Sequence, residues 1–138
     1  MKSLQKLVIL IVAFALVCGA FVTPASATSL FNKTWKAKFA DKKENPEMYA
    51  KARKAGCNIC HIKGHPKKKE ARNEYGMAVH KFLKEKDFPR DWVKANPEEA
   101  KKKLLEGLEK AGKLKSKDGK SFEEKIKAKE LPATDANL

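Results

Sequence analysis

Asparagine stands directly before proline at two points, Asn45-Pro46 and Asn96-Pro97, and this pairing restricts the fold more than any other feature of the chain. An asparagine side chain can accept the first unpaired N–H groups of a helix. Proline is preorganised for the first turn, where its missing N–H costs nothing. Each pair therefore predicts a helix start. The first of these helices runs to about Ala55, where Gly56 supplies a left-handed stop. In the second, Glu99 is placed to complete a capping box with Asn96, and Leu104, Leu105 and Leu108 form the buried stripe before Gly112. Ser121 and Glu124 predict a second capping box, for a short helix bearing Phe122 and Ile126, after a turn at Asp118 and Gly119.

Two more helices follow from periodicity. Near Leu30 to Ala40, Phe31, Trp35 and Phe39 fall along one face. From about Lys68 to Lys86, Ala71, Tyr75, Ala78, Val79 and Phe82 share an apolar face, with Gly76 as a weak point. Lys63 to Lys69 reads as a basic loop and Asp87 to Ala95 as a linker. No stretch alternates apolar and polar residues long enough to predict a strand. The expectation is an all-α domain of about four to five short helices.

Residues 1–27 read as a secretory signal peptide. Lys2 and Lys6 precede an apolar run from Leu7 to Val22, and Ala25, Ser26 and Ala27 give the small-residue cleavage pattern. The run falls short of the ~18 to 20 apolar residues of a spanning helix, so cleavage before Thr28 is expected rather than a retained anchor. Val17 is bulky for a lipid-attachment motif at Cys18, and lipidation is not expected. Residues 28–131 then form the folded domain, and 132–138 a flexible tail. The protein is expected to be periplasmic or otherwise exported.

Loss of the leader removes Cys18 and leaves Cys57 and Cys60 as the only thiols, in an oxidising compartment. Cys57, Asn58, Ile59, Cys60 and His61 form the C-x-x-C-H pattern of c-type haem attachment. The spacing has a chemical reason. Two thiols separated by two residues on a helical turn can each add to a porphyrin vinyl group, and the adjacent histidine then directs its imidazole at the iron. The domain is also thin in aromatic and aliphatic residues for its length, and a buried cofactor would supply core. Zinc would need four tetrahedral ligands, but His61 beside Cys60 is awkward for the same ion and only His65 and His80 remain. A thioredoxin-like redox pair belongs at a helix start after a strand, in a βα pattern this chain lacks. A bare structural dithiol or disulfide leaves His61 unexplained.

On these residues the chain resembles the small monohaem c-type cytochromes of the cytochrome c family. The likeness rests on Cys57 to His61 and the helix leading into them, and extends to Arg72, Asn73, Tyr75 and Gly76. The resemblance implies a small bundle around one covalently bound haem c, with His61 as proximal iron ligand. It also implies single-electron transfer rather than enzymatic turnover, and a methionine or histidine as second axial ligand. Trp35, Phe39, Tyr75, Phe82 and Trp92 are the aromatic candidates to wall the haem.

The second ligand is open. No Met or His follows His80. Met77 ranks first and His80 second, although a helical wheel sets both away from the face of Ala71, Tyr75 and Phe82. A break at Gly76 would let Met77 turn inward. Met48 precedes the motif, and His65 lies too near His61 in sequence to reach the opposite face of the iron. With two strong ligands the protein is a carrier. With an open distal site it would be a diatomic-gas sensor or weak peroxidase.

The net charge is +14, or about +12 without Lys2 and Lys6. Such a surface speeds encounter with acidic redox partners and suits weak association with an anionic membrane surface. Nucleic acid is not an expected partner, since no recognition module is present. Lysines spread along every helix also serve solubility.

Overall fold

Six α-helices and no strand lie among the residues that the computed structural model describes, 25–67 and 70–138. They are α1 (Ala25–Phe39), α2 (Pro46–Ala55), α3 (Glu74–Phe82), α4 (Arg90–Ala95), α5 (Pro97–Gly112) and α6 (Phe122–Lys127). Short 3-10 turns occupy Gly56–Ile59 and Glu85–Asp87. The expected leader falls mainly on residues 1–24, outside the described residues. Helix α1 starts at Ala25, ahead of the expected boundary at Thr28. No helix among the described residues is long and apolar enough to cross a membrane.

Capping chemistry explains α2 and α6. The Asn45 side chain accepts the Met48 N–H at 3.1 Å, Pro46 opens the helix, and Gly56 ends it at φ +56°. Met48, Ala52 and Ala55 lie at helical spacing and are buried. At α6 both arms of the capping box form: Glu124 N–H donates to Ser121 Oγ at 3.1 Å and Ser121 N–H to Glu124 Oε2 at 2.6 Å.

Two expectations about helix ends are corrected. Asp87 to Ala95 is not simply a linker, because α4 forms within it and buries Val93. That helix ends on Asn96. The Asn96 Nδ2 donates to the Trp92 carbonyl at 3.0 Å, which turns the side chain back onto α4; its Oδ1 accepts no N–H from the first turn of α5, and no box with Glu99 forms. The helix expected over 68–86 is shorter. Lys68 and Lys69 lie outside the described residues, and α3 starts only after Asn73, whose side chain accepts the Gly76 N–H at 2.8 Å. It stops at Leu83, which leaves helical geometry at φ −130° and ψ 99° and turns its side chain into the core. Phe82, expected on the buried face, is 41 % exposed as a result.

Helix α5 runs through the centre, packed against α1, α3, α4 and α6. Its Leu104 and Leu108 are fully buried with Met48, Tyr75 and Phe122. The Tyr75 and Phe122 rings meet edge-on at 5.1 Å, and Trp35 Nε1 donates to the Tyr75 hydroxyl at 2.9 Å, tying α1 to α3. Phe31 meets Phe88 edge-on at 5.3 Å. The face of Phe31, Trp35 and Phe39 is thus core, as its spacing predicts.

Residues 132–138 do not trail away as the sequence suggests. Pro132 and Ala136 are buried, and the Ala136 carbonyl accepts the Lys63 N–H at 3.0 Å. Glu74 is the anchor. Its carboxylate accepts the Thr134 N–H and hydroxyl, each at 2.7 Å, the Ser116 hydroxyl at 2.8 Å and the Lys117 N–H at 2.7 Å. Its own N–H donates to Asp135. Burial works against the Glu74 charge, but the hydrogen bonds from Thr134, Lys117 and Ser116 outweigh it and hold the carboxyl at about 2.

A carboxyl depressed in the folded state adds stability that is present above its ordinary value of 4.5 and is lost as pH falls toward about 2. Thermal melts by circular dichroism between those limits are therefore expected to show stability falling with acid. Glu74→Gln should flatten that slope and, near neutral pH, cost about 1 kcal/mol after allowance for partial solvent exposure.

Candidate functional site

Between α2 and α3 the chain makes one tight excursion that carries the Cys57-to-His61 motif. Gly56 swings out of α2 with a positive φ, and the 3-10 turn that follows presents Cys57. The Cys57 carbonyl accepts the N–H groups of both Cys60 and His61 at 3.2 Å, so the three chemically active residues share one turn. Ile59 points into the core and is 5 % exposed. Cys57 is exposed, Cys60 half-buried, and the two thiols are not joined in a disulfide.

Asn73 holds this turn. Fully buried, it donates through Nδ2 to the carbonyls of Asn58 at 3.0 Å, Ile59 at 3.1 Å and His61 at 3.3 Å. Its N–H donates to the Cys60 carbonyl at 3.1 Å, while its Oδ1 caps α3. One side chain thus satisfies the motif loop and starts the next helix. Gly76 completes the contact: a Cβ there would collide with the Cys60 carbonyl, so only glycine lets α3 lie so close to the motif. Far from being a weak point, Gly76 is the closest approach of helix to loop.

The imidazole of His61 is oriented by the backbone. Its Nδ1 meets the Ala71 carbonyl at 3.2 Å, and His61 pairs with Arg72 as an isolated antiparallel bridge. A carbonyl can only accept. Nδ1 therefore carries the proton, which puts the ring's acceptor lone pair on Nε2, the arrangement of a metal-ligating histidine.

A cleft of about 230 Å³ opens beside the motif. Cys57, Cys60 and His61 all line it, facing apolar residues from three helices, among them Phe31, Trp35, Val79, Leu83 and Leu108. Arg72, Glu85 and His80 add polar groups. A second cleft touches Cys57, His61 and His65 but not Cys60. Of these two clefts only the first is lined by both thiols and the imidazole.

The other sequence candidates are dispersed. Met77, ranked first as distal ligand, is 60 % exposed and does not line the cleft, whereas His80, ranked second, does. Met48 is fully buried on the inner face of α2. His65 sits in the second cleft, its Nδ1 accepting the Lys67 N–H at 3.1 Å. Of the five aromatic candidates, only Trp35 lines the motif's cleft. Tyr75 lies in the core, Phe39 and Trp92 pack against that core, and Phe82 faces outward. Sequence reasoning did not name Phe31, Val79, Leu83 and Leu108 as cleft walls, nor Asn73 as the clamp. The signal for part of this wall was present: Gly76, Val79, His80 and Leu83 recur at helical spacing.

Burial, reinforced by the neighbouring Cys57, pushes the Cys60 thiol up to about 12 against the opposing charge of Arg72. Cys60 is therefore held as the neutral thiol. Among the described residues no three of His, Cys, Asp and Glu converge as a metal-binding group.

Asn73→Ala strips three carbonyls of their donor and removes the α3 cap, and is expected to cost about 2–4 kcal/mol in urea denaturation. Gly76→Ala forces helix and loop apart, at about 1–3 kcal/mol. An unchanged urea midpoint in either variant would contradict the clamp.

No protein-family model, curated protein or solved structure matches this chain.

Proposed function

We propose that the chain is a monohaem c-type cytochrome. It carries haem c covalently on Cys57 and Cys60 with His61 as an iron ligand, and passes single electrons outside the cytoplasmic membrane. The observation that carries this reading is the convergence of both thiols and a backbone-oriented imidazole on one wall of an apolar cleft. Each thiol adds its sulfur to one vinyl carbon and its hydrogen to the other, so two thioethers form with no atom lost and no oxidant consumed. A neutral Cys60 thiol is compatible with that addition. When bound, haem supplies a one-electron iron couple whose potential is set by its axial ligands and the polarity around it.

The residues of this chain do the rest. Ala71 fixes the His61 ring, Asn73 fixes the loop that bears both cysteines, and Phe31, Trp35, Val79, Leu83 and Leu108 keep water from one side of the cleft. The apolar wall adds buried surface to a domain whose own core is small. Cys57 is exposed, so a group held through its sulfur would be reachable from solvent for electron exchange. The surplus of basic side chains steers acidic redox partners toward the protein. Export rests on the apolar leader and on the extracytoplasmic setting of haem attachment.

The full chain, expressed with a c-type maturation system, is expected to yield protein whose haem stays with the polypeptide in acidified organic solvent. The Cys57→Ala/Cys60→Ala double variant should release it. Colourless wild-type protein, or haem extracted from it, would contradict the proposal. Electron exchange with an acidic partner should slow as ionic strength rises; a rate indifferent to salt would remove the steering component.

A further inference from the structure

His80 lines the same cleft as Cys57, Cys60 and His61, and we propose that its imidazole is the second axial ligand of the iron. This rests on the covalent-haem reading above. Gly76 brings α3 into contact with the Cys60 carbonyl. His80 stands four residues further along the same helix, about 6 Å in axial rise, on the face that Gly76 occupies. Val79 and Leu83 flank it and also line the cleft. Helix α3 therefore has two working faces. Tyr75 and Ala78 enter the core, while Gly76, Val79 and His80 overlook the motif.

The alternatives are placed elsewhere. Met77 is one residue past Gly76, hence a quarter-turn or so from the cleft face, and is largely exposed. Met48 is sealed in the core, and His65 belongs to the second cleft and receives the Lys67 N–H. The His80 imidazole has no hydrogen-bond or ion-pair partner among the described residues, and nothing there competes with an iron for it. Two imidazoles in place of an imidazole and a thioether also set the direction of the couple. Methionine ligation raises the potential, so this protein should operate below its methionine-ligated counterparts.

The test uses the matured full-length protein. Wild type is expected to show a low-spin ferric spectrum and slow carbon monoxide binding when reduced. His80→Ala should lose the low-spin spectrum and bind carbon monoxide rapidly, with imidazole in the buffer restoring the low-spin form. Met77→Ala should match wild type. His80 is exposed and has no side-chain partner among the described residues, so its replacement should leave the helical circular dichroism intact; His80→Met, which keeps a ligand there, should raise the midpoint potential. A His80→Ala protein that keeps its haem and its low-spin spectrum would overturn the assignment and leave covalent attachment standing. So would a high-spin wild type that binds carbon monoxide rapidly. Haem extractable from wild type would overturn both.

Discussion

The structure depends on what one buried amide does at the junction of loop and helix. Asn73 donates to three carbonyls of the motif turn and accepts the N–H that starts α3, all at zero exposure. Each of those carbonyls, left without a donor in the interior, would cost about 1–3 kcal/mol. No water is needed to satisfy the turn, so Cys57, Cys60 and His61 can stand at the edge of an apolar cleft without an unpaired backbone beneath them. The same residue fixes the phase of α3, and with it which side chains reach the cleft. Loop and wall are set by a single side chain.

Packing behind the cleft reinforces that arrangement. Gly76 presses α3 onto the motif, and Tyr75, its neighbour, takes the Trp35 indole N–H and the edge of Phe122. Burial pushes the Tyr75 hydroxyl far above the ordinary phenol range, so it remains a neutral partner for Trp35. The C-terminal segment closes the far side through Glu74, at the first position of α3. Three successive residues, Asn73, Glu74 and Tyr75, thereby hold the motif loop, the chain end and the core.

Much of this was legible in the sequence, and the parts that were not have definite causes. The starts of α2 and α6 were readable because their caps are local: Asn45 and Ser121 bond within their own first turns. The cap expected from Asn96 failed because two helices abut there and Trp92 claimed the amide. The length of α3 was misjudged because Asn73 and Leu83 answer to distant partners that no window of sequence contains. A single-stripe wheel put His80 on a solvated face, and His80 is exposed, but the wheel did not show that this side of α3 also lines the cleft beside the motif loop. The motif residues could be singled out as a group because chemistry, not packing, sets their spacing, and all three line one cleft. The loose tail was misread for the opposite reason, since nothing near residues 132–138 announces that Glu74 waits for them.

The most direct test of the account is peptide mass spectrometry on the full chain, produced alongside a c-type maturation system and treated with a thiol-alkylating reagent. The peptide spanning Cys57 to His61 should carry one haem and no alkyl group, because both sulfurs are already thioethers. Recovery of that peptide without haem, alkylated at both Cys57 and Cys60, would contradict it.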